Sequence, residues 1–236
     1  MSRTIANDLG IYERAAHAWW DPRAAEFRSL RRIQSARAAR LAATWGERLH
    51  GARVVDLGCG GGLLAEPFVA RGARVIGVDL SGASLRAARA RVGASFLRAD
   101  LRRTPLARAC ADFVLLADVV EHIAEPERAL AEAARLLRTG GELFVSTLNS
   151  TRRARVLAVW LAEGVGLIPR GTHDARLFVA PERLTSLAYA AGFARVELWG
   201  ESVRLGRTLR RWTIELAPSD DLSVSYCARF VRGGGA

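Results

Sequence analysis

Midway along the 236-residue chain, Asp118, Glu121 and His122 stand at i, i+3 and i+4 in the stretch LADVVEHIAEP, directly after an apolar run. On a helix that spacing brings all three side chains to one face. His122 suits a general base, because an imidazole titrates near working pH, and Glu121 is its acidic neighbour. The same trio could instead hold one hard divalent cation. Two carboxylates and an imidazole suit Mg²⁺ moderately, and Zn²⁺ or Mn²⁺ about as well. The plainer reading is structural: Asp118 caps the following turn and His122 is buried. The choice depends on the elements that place the trio.

Those elements alternate. VVDL, VIGVDL, SFLRAD, DFVLLAD and ELFVSTLN read as short buried strands, separated by helical segments such as SGASLRAARARVG, with Ser81 as N-cap, and PERALAEAARLLRTGG. Later FARVELWG and LSVSYCARFV add two more strands. Such alternation predicts an α/β fold with a doubly wound, mostly parallel, seven-stranded sheet whose last strands form an antiparallel edge. Residues 10–45 read as helical, broken at Asp21-Pro22. The expected organisation is one domain: an N-terminal helical lid over 1–48, a core over 49–150, an insertion over 151–176, and a C-terminal helix with edge strands over 177–236.

In such a sheet, ligands bind at the carboxyl ends of the strands, where strand order switches. The first strand–helix turn is DLGCGGG, in which Gly58, Gly60 and Gly62 let backbone approach a ligand closely. A dinucleotide fingerprint would need a third glycine or alanine where Leu63 stands. Asp56 would repel pyrophosphate and attract an ammonium, so the loop suits S-adenosylmethionine better than a nicotinamide dinucleotide. Asp79, at the end of the second strand, is placed to accept from a ribose diol. Asp100, at the end of the third, could accept from an adenine amino group.

The charge balance is +11, and all 35 basic residues are Arg. Such a balance allows RNA, anionic lipid or a phosphate-bearing substrate, although a solvated Arg surface accounts for most of it. Cys59, Cys110 and Cys227 are odd in number and far apart, which favours a reducing cytoplasm and argues against zinc or a disulfide framework. The N-terminus lacks the apolar core of a secretory signal, and no apolar run reaches the ~20 residues needed to span a bilayer. Residues 151–170 set Leu157, Val159, Trp160 and Leu161 among Arg152, Arg153, Arg155 and Arg170. This segment reads as an interfacial element on an anionic membrane surface, or as a lid on its own domain.

The chain resembles the ubiquinone-biosynthesis O-methyltransferases, within the Rossmann-like class I S-adenosylmethionine-dependent methyltransferases. The resemblance runs from about Ile11 to Phe230 and rests on WWDPRAAEF, VVDLGCGGGLLAEPFVARGARVIGVDLS, VVEHIAEP, STLNS and IPRGTHDARLFVAPERL, in that order. It implies O-methylation of a catechol-type hydroxyl on a polyprenylated ring. It implies that Arg37, Gly58, Asp79 and Ala117 hold the cofactor, with Arg37 on the methionine carboxylate. It also implies a metal held by Asp118, Glu121 and His122, and peripheral membrane association through the insertion. The chain departs from the family at Asp118, where Glu is usual, at Ala117, where a larger residue is usual, and over 200–221, which lack a Tyr-Asn-Pro. Two other functions compete: O-methylation of another small aromatic metabolite, and a basic RNA- or lipid-binding module with a degenerate cofactor site. No specific nucleic acid is expected as partner, because STLN is not followed by the Pro-Pro-aromatic signature of amino-methylating enzymes.

Overall fold

Short runs of Val, Leu and Ile bounded by glycines make the strands of the sheet. They are β1 (Arg53–Leu57), β2 (Arg74–Asp79), β3 (Ser95–Arg98), β4 (Ala111–Ala117), β5 (Leu137–Leu148), β6 (Phe193–Val203), β7 (Leu216–Ser219) and β8 (Ser225–Arg232). The computed structural model describes residues 8–234, and of Trp160 the backbone alone. The helices are α1 (Ile11–Arg14), α2 (Arg28–Trp45), α3 (Ala65–Val69), α4 (Gly82–Arg89), α5 (Pro126–Leu136), α6 (Arg152–Ala154), α7 (Pro181–Ala190) and α8 (Leu205–Arg211).

Strand order is β3-β2-β1-β4-β5-β8-β6-β7. β1 to β5 pair in parallel, while β8, β6 and β7 add in antiparallel fashion. The fold is therefore the expected one, with eight strands rather than seven. The extra strand, β7, is four residues long and pairs only with β6 at the edge.

Alternation along β4 explains the layering. Phe113 and Leu115 pack on one face with Leu41 and Trp45 of α2 and Phe68 of α3. Val114 and Leu116 pack on the other face with Leu130 of α5 and Leu184 of α7. Each such buried side chain stabilises the fold by roughly 1.5–3 kcal/mol relative to exposure. Ser81 caps α4 as expected, its hydroxyl accepting from Ser84 N at 3.1 Å.

Two segments differ from expectation. YERAAHAWW forms only α1 and a 3₁₀ turn at Ala16–Ala18, instead of one long helix. The insertion begins as α6 and continues as a π-helix over Arg155–Ala162. Ser29 of α2 ties these parts together: its hydroxyl donates to Leu167 O at 2.9 Å and accepts from Ile214 N at 3.1 Å.

Candidate active site at the strand-order switch

The chain leaves β1 outward towards β2 and β3, then returns to β4 on the other side of β1. The turns after β1 and β4 therefore face each other. Gly58 has φ +79°, and a Cβ built there would meet Val119 Cγ2 at 2.6 Å. Only glycine meets both demands, so the glycine loop and the LADVVEHIAEP turn are packed backbone to side chain. Gly60 lies under Trp19, whose ring would meet an added Cβ at 2.6 Å, while Gly62 packs on Ala88, Phe96 and Val92. Trp19 Nε1 donates to Ser84 Oγ at 2.9 Å and Trp20 Nε1 to Gly61 O at 2.9 Å, so this Trp pair closes the N-terminal segment over the loop.

Two cavities open at the switch. The first is lined by Asp56, Gly58, Gly60, Asp79, Ala117 and the 118–123 turn, with Tyr12, Trp19, Leu30 and Gln34 above. Asp79 holds the loop, Oδ2 accepting from Gly60 N and Oδ1 from Ser81 N, each at 2.8 Å. Burial raises the Asp79 pKa, and these backbone donors oppose the rise. Asp56 is 2% exposed, and burial, followed by the charge of Asp79, pushes its pKa up to about 7. A buried acid poised there readily ionises beside a cation.

The second cavity is apolar, lined by Phe27, Ile33, Leu148, Leu157, Ile168 and Ile214 among others, with Glu121 and His173 facing it. Tyr12, Leu30, Asp118 and His122 line both cavities. His122 stands at the junction, its ring 5.3 Å from that of His173, centroid to centroid, and 6.3 Å from Tyr12. Burial, then the charge of His173, lowers the His122 pKa to about 3, so its ring is neutral. His173 Nδ1 lies 3.0 Å from Glu163 Oε1 of the insertion.

The expected one-faced trio does not form. Asp118 has φ +55°, and only Val120–His122 makes a 3₁₀ turn, without a side-chain cap. That left-handed residue breaks the helical register, although all three side chains still line the second cavity. Asp118 Oδ2 accepts from Arg37 Nη1 at 2.5 Å and Gln34 Nε2 at 3.0 Å, and Oδ1 from Ser146 Oγ at 3.0 Å. Glu121 accepts from Thr147 Oγ1 at 2.8 Å, and burial, then Asp118, pushes its pKa up to about 8. A carboxylate already engaged by Arg37 is a poor cation ligand. Among the described residues no three His, Cys, Asp or Glu side chains are grouped to hold a metal. The donor set as placed does not fit one.

Arg37 and Asp100 also differ from expectation. Arg37 lies in the wall of the second cavity, not the first, and grips Glu201 with two hydrogen bonds of 2.9 and 2.7 Å. Burial opposes its charge, and Asp118 and Glu201 outweigh that cost. Asp100 is held by Arg102 at 2.7 Å and does not line either cavity, whereas its neighbours Ala99 and Leu101 line the first. Gln34, Tyr12 and Glu201 were missed. Gln34 stands one turn before Arg37 on α2, a spacing that could have drawn attention to it.

A methyltransferase-domain family model matches residues 55–145, from β1 into β5. The chain is 33% identical to the ubiquinone biosynthesis O-methyltransferase of Stutzerimonas stutzeri (strain A1501), covering 98% of this chain and 99% of that one. It is 36% identical to that of Dinoroseobacter shibae, covering 96% of this chain and 95% of the relative, and 38% identical to that of Thiobacillus denitrificans, covering 85% and 88%. In fold it is similar to an S-adenosylmethionine-dependent methyltransferase from Thermotoga maritima, with TM-score 0.69 and 23% identity over 94% of this chain and 98% of that one. It is also similar to the magnesium protoporphyrin IX methyltransferase of Synechocystis PCC 6803, with TM-score 0.68 and 21% identity over 96% of each chain. The chain belongs to the ubiquinone biosynthesis O-methyltransferase family and is an S-adenosylmethionine-dependent methyltransferase.

Proposed function

We propose that this enzyme methylates a catechol-type hydroxyl on a polyprenylated ring. The observation that carries the reading is the junction at His122, where a glycine-loop cavity rich in acceptors meets an apolar one. S-adenosylmethionine, when bound, supplies a sulfonium methyl open to in-line displacement. Asp56, Gly58, Gly60, Asp79 and Ala117 cradle it, and Gly62 keeps the loop packed on α4. Residues 1–48 act as the lid, 49–150 as the cofactor core, and 151–176 with 177–236 as the acceptor side. The acceptor ring lies in the second cavity with its hydroxyl at His122, and apolar walls exclude water.

The neutral His122 takes the hydroxyl proton as the new C–O bond forms. Prior transfer from a phenol of pKa ~10 to a ring of pKa about 3 would be uphill by roughly 10 kcal/mol, so the proton moves with the methyl rather than before it. Glu121, protonated by its burial, is placed to donate to an acceptor oxygen. Activation by Mg²⁺, Zn²⁺ or Mn²⁺ at Asp118, Glu121 and His122 is the competing route, and the side chains as placed do not suit it.

The tail has a path. A groove continues outward from the second cavity, sharing Leu157, Ala162, Leu167, Val203, Ile214 and Val224 with it. Exposed Val156, Leu161 and Val165 form one bank, and Leu205, Leu209 and Trp212 the other, with Arg152 and Arg153 at the rim. Of the residues expected to meet acyl chains, Leu161 is exposed, Val159 packs inward near Phe178, and the Trp160 side chain lies outside the described residues. No helix among the described residues is long and apolar enough to cross a membrane. An apolar bank with an Arg rim suits attachment to an anionic bilayer surface.

The test is methyl transfer to prenylated and unprenylated catechols, with and without chelator. We expect prenylated catechols to be preferred, activity to persist in chelator, His122→Ala to be severe and Asp118→Ala milder. Loss of activity in chelator, restored by a divalent ion, would overturn His122 as base. Flotation with anionic vesicles should fall on Leu209→Glu, and unchanged flotation would discard this groove as the membrane contact.

A further inference from the structure

Gln34 is 6% exposed and lines the glycine-loop cavity together with Asp56, Gly58 and Ala117. Its amide orientation is set by chemistry. Nε2 donates to Asp118 Oδ2 at 3.0 Å, and a carboxylate already paired with Arg37 only accepts, so the NH₂ must face it. Oε1 is left buried without a hydrogen-bond partner. An orphaned buried acceptor costs free energy until a donor arrives, and ligand sites are where such groups persist.

The cavity indicates the donor. Asp56, Asp79 and Asp118 line it, and neither Lys nor Arg does, so it is built for a cation. Asp79 secures the loop over Ser81 and Leu80, leaving the Gln34 side, next to Asp118 and Ala117, for the amino-acid half of the ligand. We infer that Gln34 Oε1 accepts a hydrogen bond from the α-ammonium of S-adenosylmethionine. Gln34 thereby couples the cofactor to the Asp118–Arg37–Glu201 network that walls the acceptor cavity. The inference rests on the cofactor reading given above and adds a contact residue to it.

The test is calorimetric and needs no turnover. Wild type and Gln34→Met, which keeps the length and loses the acceptor, are titrated with S-adenosylhomocysteine and with its desamino analogue, in which hydrogen replaces the amino group. We expect Gln34→Met to weaken S-adenosylhomocysteine about tenfold or more, as for a hydrogen bond to a charged group, and to leave the desamino analogue within about twofold. Equal losses for both ligands would mean a distorted cavity and would overturn the contact, as would no loss for either. Failure of wild type to bind S-adenosylhomocysteine would sink the cofactor reading itself, and this inference with it.

Discussion

Replacing Arg37 by Met tests the ionic network under the site. Arg37 is 5% exposed and Glu201 6%, and they share two hydrogen bonds, with a third from Arg37 to Asp118. After substitution Glu201 keeps Ser225 Oγ at 3.1 Å and the Cys227 thiol, and Asp118 keeps Gln34 and Ser146. Removing one partner of a buried pair costs about 3–5 kcal/mol, a large part of a typical total of ~5–15. Urea unfolding at pH 7 should show that loss. Adding Glu201→Gln to Arg37→Met should recover part of the loss at pH 7. A loss under ~1 kcal/mol, or no recovery on adding Glu201→Gln, would refute the reasoning. So would a variant of unchanged stability that fails only to bind S-adenosylhomocysteine, because Arg37 would then serve the methionine carboxylate directly.

Other outcomes follow from the same geometry. Gly58→Ala forces a side chain into φ +79° and against Val119, which should cost roughly 2–4 kcal/mol. Adding Val119→Ala should return the steric part in urea unfolding, and no recovery would contradict the close approach. Glu121 and Asp56 have native pKa values raised to about 8 and about 7, so their unfolded forms ionise first. Their contribution to stability is complete below the unfolded carboxyl range and is lost as pH rises through those values. Above pH ~6.5, where His122 is neutral in both states, the urea midpoint should fall with pH, and Glu121→Gln should flatten the slope. A slope identical in Glu121→Gln would dismiss the raised pKa. Because an ammonium favours ionised Asp56, S-adenosylhomocysteine binding should release a proton at pH 6. Titrations in buffers of different ionisation enthalpy measure it, and identical heats would refute it.

The glycine loop and the strand ends were legible in the sequence because strand period, turn glycines and acid placement all agree there. Asp56 and Asp79 line the cavity accordingly. Asp100 was misplaced because distance from a strand end says nothing of side-chain direction, and Arg102, two residues on, captures it. The Asp118–Glu121–His122 trio was misread for a backbone reason: helical spacing assumes helical φ, and Asp118 is left-handed. α8 and β7 were hidden because an Arg-rich stretch of short elements has neither a clear period nor a long apolar run. The apolar side chains of α8 face outward, so α8 makes sense beside a groove rather than in a core, while Leu216 of β7 lines the apolar cavity.

The most direct test is a crystal structure with S-adenosylhomocysteine and a polyprenylated catechol bound together. The thioether should lie over the glycine loop, one catechol hydroxyl within hydrogen-bond reach of His122 and facing the sulfur, and the tail should leave between the π-helix and α8. A ring bound away from His122, or a hydroxyl coordinated to a metal at Asp118 and Glu121, would contradict this reading.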